Sequence, residues 1–278
     1  MREQAVELVQ AAALSSWSRQ TRHWREALSV VVPPALVLFS FAAAWEAIVI
    51  ARDIPKFVIP RPSAIVARLL EQPGYFFIEH GLVTFVEALA GFALGAITAI
   101  VLAAVMARSR LIERSFFPLA LLIKATPIVV IAPLLVIWFG YSLTGKIIMA
   151  APICFFPILV NTIVGLRSVD PTSLEFLESV SASEWEVFTR LRAPHALPYV
   201  LAAFKVSISL AVIGAVVAEW AGASQGLGRV IILAGARFDQ TTVFAGVLVL
   251  AIMGIGLTAV VSWLEKRLLY WHESVLVG

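Results

Sequence analysis

The sequence is short of charge and almost without cysteine. Only 14% of its 278 residues are Asp, Glu, Lys or Arg, where a soluble domain carries about a quarter. The single cysteine, Cys154, sits in the apolar run "APICFFP". It excludes an intrachain disulfide and a cysteine-built metal cluster. His23, His80, His195 and His272 are scattered, each near the end of an apolar run, and read as interfacial polar residues. No Ser-His-Asp arrangement and no metal-ligand spacing is present, so neither a catalytic residue nor a metal site is expected. A phosphate loop is also missing, by one residue. "FGYSLTGKI" fits the nucleotide-loop pattern through Lys146, but Ile147 stands where the magnesium-binding hydroxyl belongs. The stretch reads instead as a tight turn between two apolar helices, with Lys146 anchoring at lipid headgroups.

What remains is apolar. Hydrophobic residues make up 60% of the chain, and the mean hydropathy is +0.93. A helix needs about 20 apolar residues to cross a bilayer. The sequence offers such stretches over about 27–50, 82–107, 116–139, 146–166, 197–220 and 242–264. The third is interrupted at Lys124-Ala125-Thr126-Pro127 and again at Pro133. The fold class is therefore all-α, a polytopic membrane protein of about six transmembrane helices. Residues 1–26 carry Glu3, Arg19, Arg22 and Arg25, and the apolar run after them is too long for a cleavable signal. The net charge of +3 reads as basic residues held on the cytoplasmic side, not as a nucleic-acid surface. The loop "RSRLIERS" and the basic N-terminal stretch favour both termini inside.

Two segments assigned to the outside look ordered. "IPKFVIPRPSAIVARLLEQ" starts extended at its prolines and continues as a short amphipathic helix from Ser63 to Glu71. In Gly222–Gln240 the apolar middle, Val230 to Leu233, is too short to span, so a re-entrant or surface helix is expected.

The long inner loop, "LRSVDPTSLEFLESVSASEWEVFTRLRAPHALP", is not linker-like. Asp170-Pro171 is a helix start, an acidic cap before a first-turn proline. Ser183-Glu184-Trp185-Glu186 is a capping box. Trp185, Phe188 and Leu191 then fall on one ridge, and Pro194 is expected to stop the helix. A short capped helix with an aromatic edge suits either the lipid headgroups at an interface or a groove in a soluble partner.

This loop resembles the "EAA" loop of permease subunits of ATP-binding-cassette importers. Glu175 and Pro194 match the family glutamate and proline at the family spacing. Phe176 and Leu177 replace two alanines, Ser181 replaces a glycine, and Ala193 replaces a leucine. "ATPIVVIAPLLVIWFG", "FFPILVNTIVGLRSVDP" and "AVIGAVVAEWAGASQGLG" resemble the nitrate, sulfonate, taurine and thiamine-precursor branch. "VEALAGF" with "AVIGAVVAEW" is most similar to permeases for pyrimidine precursors of thiamine or for riboflavin. The resemblance implies a type I importer permease fold. Its parts are a cytoplasmic segment (1–26), a first span with a proline-rich outer segment (27–79), the transmembrane domain proper (80–265) with its coupling loop (167–196), and a cytoplasmic tail (266–278).

The resemblance further implies a non-catalytic subunit of the bacterial inner membrane that binds no cofactor itself. Two partner ATPases bind ATP and magnesium, a binding protein delivers the solute, and a second copy completes a homodimer. No nucleic acid is involved. The residues implied for ATPase coupling are Glu175, Ser181, Ala182, Ser183, Glu184, Trp185, Phe188, Arg190 and Pro194, with Glu175 bracing the loop against Arg190 or Arg192. Ionisable groups within spans usually face the bundle interior or water. Polar groups at a broken helix are tolerated where they line a cavity. Glu87, Lys124, Thr126, Asn161, Lys205 and Ser209 are accordingly the pathway candidates, while Glu219, at the end of its span, is read as facing water. The rival class is an ion-coupled secondary transporter, which gives no reason for the capped inner helix.

Overall fold

The computed structural model describes residues 32–269. The basic N-terminal segment, His23, the first residues of the expected first span, and the end of the tail with His272 lie outside the described residues. Among the described residues the chain is helical, in two compact units that divide at Ala64 and Ile65.

The first unit contains α1 (Val32–Ala51). Its side chains, such as Leu36, Val37, Leu38 and Phe39, are mostly exposed, as expected of a helix that meets lipid. Glu46 accepts hydrogen bonds from the Ser63 amide (3.0 Å) and hydroxyl (2.7 Å). That hydroxyl and amide belong to the start of α2 (Pro62–Glu71), the amphipathic helix expected from the sequence.

The second unit is built on three long helices, α3 (Leu82–Arg108), α6 (Leu143–Arg167) and α9 (Ala193–Trp220). A π-helical turn, Gly74–Gly81, leads into α3. Small residues let these helices approach closely, which is how apolar helices gain packing energy in lipid. A Cβ on Gly91 of α3 would stand 2.5 Å from the Ala150 Cβ of α6. One on Gly214 of α9 would stand 2.9 Å from the Ala150 Cα. Ala150 is thus wedged between two glycines. Ala96, Ala99, Ala103, Ile158, Ile208, Ala211 and Ala215, all buried, form a core along the same three helices. Cys154 belongs here. Its thiol donates to the Ser207 carbonyl (3.3 Å), and the Ser207 hydroxyl donates to the Cys154 carbonyl (3.4 Å). The exchange ties α6 to α9.

The interrupted third span is two helices, α4 (Arg110–Ala125) and α5 (Ile128–Phe139), bent by 96° at the break. Pro127 forces Thr126 out of the helical region (φ −81°, ψ 122°). The second interruption, expected at Pro133, does not occur, because α5 runs through it. Pro118, Pro152, Pro157 and Pro198 likewise sit inside helices. In a packed bundle, neighbouring groups and small local adjustments absorb the missing donor.

The turn "FGYSLTGKI" closes α5 and opens α6. Gly140 takes φ +66°, ψ −164°, which a side chain disfavours. Ser142 caps α6 by accepting from the Gly145 amide (3.3 Å). α10 (Leu227–Ala236) is the short helix expected after Gly222, and α11 (Gln240–Leu268) is the last long helix.

The inner loop folds into α7 (Pro171–Ser179) and α8 (Glu184–Val187). Pro194 does not stop the helical path. A π-helical turn, Phe188–Arg192, joins α8 to α9, and Pro194 lies in the first turn of α9. The wider turn carries the hydrogen bond from Ala193 back to the Phe188 carbonyl, which leaves room for a residue without an N–H.

Candidate functional site

At the α10 end of the bundle the polar side chains are buried and bonded to one another. Glu87 of α3 (1% exposed) accepts from the Lys146 ammonium of α6 at 2.6 Å. Lys146 is therefore no headgroup anchor. α6 begins three residues earlier than it, at Leu143, and its first turn aims the ammonium at α3. Glu219, expected in water, is also 1% exposed. It accepts from the Thr84 hydroxyl (2.6 Å) and from the Gly228 amide (2.5 Å). Thr84 in turn accepts from the Leu227 amide (2.9 Å), and His80 Nδ1 accepts from the Gly226 amide (3.0 Å). Free amides at a helix start need such partners. Here three consecutive amides at the start of α10 are met by side chains of α9, of α3 and of the turn before α3.

Gly226 makes that approach possible. Its φ is +122°, and a Cβ there would lie 2.1 Å from Glu219 Oε1. Since Nδ1 accepts a hydrogen bond, it carries no proton. The ring is buried (7% exposed), not interfacial.

Midway along the bundle, the break between α4 and α5 opens one side of a groove of about 550 Å³ against α6. Three of the six pathway candidates line it: Lys124, Thr126 and Asn161. Thr126 donates its hydroxyl to the Leu122 carbonyl (2.8 Å), closing α4. Asn161 donates to the Pro157 carbonyl (2.8 Å). Lys124 is exposed and has no acidic partner among the described residues. Its ammonium lies 4.5 Å from the ring centroid of Phe156, a residue that sequence reasoning missed. The "FFP" run gave no sign of which of two adjacent aromatics faces the break.

The other three candidates stand apart from the groove. Glu87 is in the buried pair. Lys205 pairs with Glu265 of α11. The Ser209 hydroxyl meets that of Thr258 at 2.9 Å, so both of these residues hold α9 to α11.

At the far end, α7 and α8 form an exposed elbow. Asp170 caps α7 by accepting from the Ser173 amide (3.1 Å). α7 ends in a left-handed turn. The Ser181 amide donates to Glu178 O (2.9 Å) and the Ala182 amide to Leu177 O (3.0 Å), with Ser181 at φ +55°. This is the paired closure that favours glycine at its left-handed position. It explains why glycine suits the position that Ser181 holds. Ser183 then accepts from the Glu186 amide (3.3 Å), while the Glu186 carboxylate accepts from the Ser183 amide (3.0 Å). The capping box is complete.

Trp185, 66% exposed, stacks on Phe188 with ring centroids 5.9 Å apart and planes 23° apart. Glu184 pairs with Arg108 at the end of α3 (2.7 Å). The expected brace from Glu175 is absent. Glu175 is exposed and makes no ion pair with Arg190 or Arg192, while Arg190 turns back one helical turn to Glu186 (3.6 Å). Behind the elbow, Arg167 at the end of α6 pairs with Glu113 of α4 (2.6 Å) and donates to the Met106 carbonyl of α3 (3.3 Å). Pro194 is exposed at the start of α9.

Comparison with known proteins points the same way. Residues 91–270 match the family described as "Binding-protein-dependent transport system inner membrane component". The chain is 34% identical to the formylaminopyrimidine transport permease protein ThiX of Halalkalibacterium halodurans, over 87% of its own length and 96% of the relative's. It is also 34% identical to the riboflavin transport system permease protein RibX of Chloroflexus aurantiacus, over 83% and 86% respectively. Among solved structures, a chain of an amino acid ABC transporter superposes with a TM-score of 0.60 at 15% identity, covering 72% of this chain and 97% of that one. At that identity the likeness concerns the fold.

Proposed function

Because the chain belongs to the binding-protein-dependent transport system inner membrane component family, a family of multi-pass membrane proteins, we propose that it forms the translocation pathway of an ATP-binding-cassette importer. In this reading it lies in a bacterial inner membrane with both termini in the cytoplasm, paired with a second copy. Two ATPase subunits, which bind ATP and magnesium, sit beneath the pair. A binding protein delivers the solute from outside. The domain parts are those expected from the sequence, with 167–196 as the coupling loop.

The observation that carries the reading is the elbow of α7 and α8. A four-residue helix does not persist alone in water. Here it is held by a complete capping box and by its continuity with α9, and it presents an exposed Trp185 stacked on the half-buried Phe188. That is the form of an aromatic anchor for a protein groove. Glu175, Ser181, Ala182, Ser183, Glu184, Trp185, Phe188, Arg190 and Pro194 are assigned to this contact or to its shape.

Movement of the elbow passes into α9 through the π-helical turn, and to α3 and α4 through Arg108, Arg167 and Glu113. ATP shifts the two-state equilibrium of the pathway only by binding one state better. Closure of the ATPases favours the outward-open state, and hydrolysis returns it to the inward-open state. Lys124, Thr126 and Asn161 line the path at the helix break. The cargo is a small solute, best matched by a pyrimidine precursor of thiamine or by riboflavin on the strength of the relatives' names, and next by the nitrate, sulfonate and taurine class.

The test is reconstitution of the chain with its ATPase and binding protein in proteoliposomes. Replacing the phosphate-gripping lysine of the ATPase is expected to abolish uptake. Unchanged uptake refutes the reading in favour of an ion-coupled carrier.

A further inference from the structure

Where α3 and α6 end, a polar pocket of about 310 Å³ opens behind the elbow. Four guanidinium groups line it, and each comes from a different element. Arg108 is the last residue of α3, Arg110 the first of α4, Arg167 the last of α6, and Arg192 the last of the π-helical turn. Leu166 and Val169, both buried, supply apolar lining. No carboxylate lines the pocket.

Like charges gathered in this way repel one another, and the chain's own acids do not balance them. Arg108 is paired with Glu184 and Arg167 with Glu113. Arg110 and Arg192 have no acidic partner among the described residues. The adjoining pocket on the elbow side adds one more carboxylate, Glu178. Three acids against four arginines leave one positive charge over. The fixed fork of a guanidinium matches phosphate oxygens two at a time, and a phosphodiester carries the single negative charge that is missing.

The surroundings fit a lipid as its carrier. The apolar spans Gly74–Arg108 and Leu143–Arg167 both finish at pocket arginines, so the pocket lies at the depth where spans meet headgroups. α4 leads away from Arg110 with Leu111, Leu119 and Leu122 on one face, each more than half exposed. An acyl chain tethered to a phosphate in the pocket has that face to lie against. A soluble phosphate, or an acidic side chain of a partner protein, makes no use of it. Basic pockets between helix ends are a recurring seat for anionic headgroups.

We propose that this pocket binds the phosphate of an anionic phospholipid, held chiefly by Arg110 and Arg192, with an acyl chain along α4. The bound phosphate ties together the ends of three helices and the π-helical turn that joins the elbow to α9. The seat is separate from the groove at the helix break and does not depend on the cargo.

The test uses the full chain in nanodiscs of phosphatidylcholine and phosphatidylglycerol in equal parts, released into native mass spectrometry to count the retained lipid. Phosphatidylglycerol is expected to be retained over phosphatidylcholine by about tenfold or more, the scale of two arginines at one headgroup. Arg110→Gln with Arg192→Gln is expected to bring the ratio near parity. Arg114→Gln with Lys266→Gln removes as much charge outside the pocket, and is expected to leave the ratio unchanged. Equal melting temperatures in pure phosphatidylcholine check the folding of both pairs. If the pocket pair does not fold, Arg192→Gln alone is read, with a loss of several-fold expected and no loss overturning the proposal. Absence of enrichment, or an equal loss in both pairs, overturns the seat. Inorganic phosphate that displaces the lipid leaves a phosphate site and overturns the lipid. Lipid expelled when the ATPase is added gives the arginines to that partner and overturns it too.

Discussion

Lys146 and Lys124 are both lysines within the apolar part of the chain, and the fold treats them in opposite ways. Lys146 is 8% exposed and bonded to Glu87. Near that pair Glu219 closes a second set of bonds through Thr84 and the first amides of α10. Lys124 has only a ring beside it and faces open space. A charge buried in low dielectric is kept by its partner. A charge left without one at the edge of a groove is available to something that passes. Burial and partnering, not residue type, separate the helices' own fastenings from the groups proposed to meet a solute.

The sharpest break of that comparison is at the buried pair. Glu87→Gln leaves the Lys146 ammonium uncompensated and is expected to destabilise the protein by about 3–5 kcal/mol, read as a loss of thermal stability in detergent or nanodiscs. Adding Lys146→Met is expected to restore most of the loss. If Glu87→Gln alone is as stable as the parent, the pair is not a structural fastening.

A smaller effect, of a different kind, is expected at the elbow. Trp185→Ala is expected to weaken copurification with the ATPase by about 2 kcal/mol or more, as for an aromatic anchor, with little change in thermal stability because the side chain is 66% exposed. Normal copurification together with normal uptake removes Trp185 from the contact.

The smallest of the three effects is expected at the groove. Lys124→Met is expected to cost at most about 1 kcal/mol, the scale of its contact with Phe156, while slowing solute uptake in proteoliposomes. A destabilisation as large as that of Glu87→Gln would erase the distinction between the two lysines.

The parts of the molecule that the sequence announced are those with short-range causes. Spans are read from runs of apolar residues, the break from Thr126-Pro127, the turn from the glycines of "FGYSLTGKI", and α8 from Ser183 and Glu186 three residues apart. Pro133 and Pro194 misled for the opposite reason. Proline disrupts a helix in isolation, and whether a bundle absorbs it depends on neighbours that local sequence does not specify.

Partners were a matter of long range. Glu87 and Lys146 are 59 residues apart, and Thr84 and Glu219 are 135 apart. No spacing along the chain reports such a meeting. His80 and Glu219 looked interfacial because they lie near helix ends, yet the start of α10 folds over them and takes their lone pairs for its amides.

The sequence by itself thus determined that the chain is a helical membrane protein with a broken span and a capped inner helix, because hydropathy, proline and capping act within a few residues. The tertiary structure alone decided which charges are paired and that Phe156 stands opposite Lys124, because those outcomes depend on which helix faces meet.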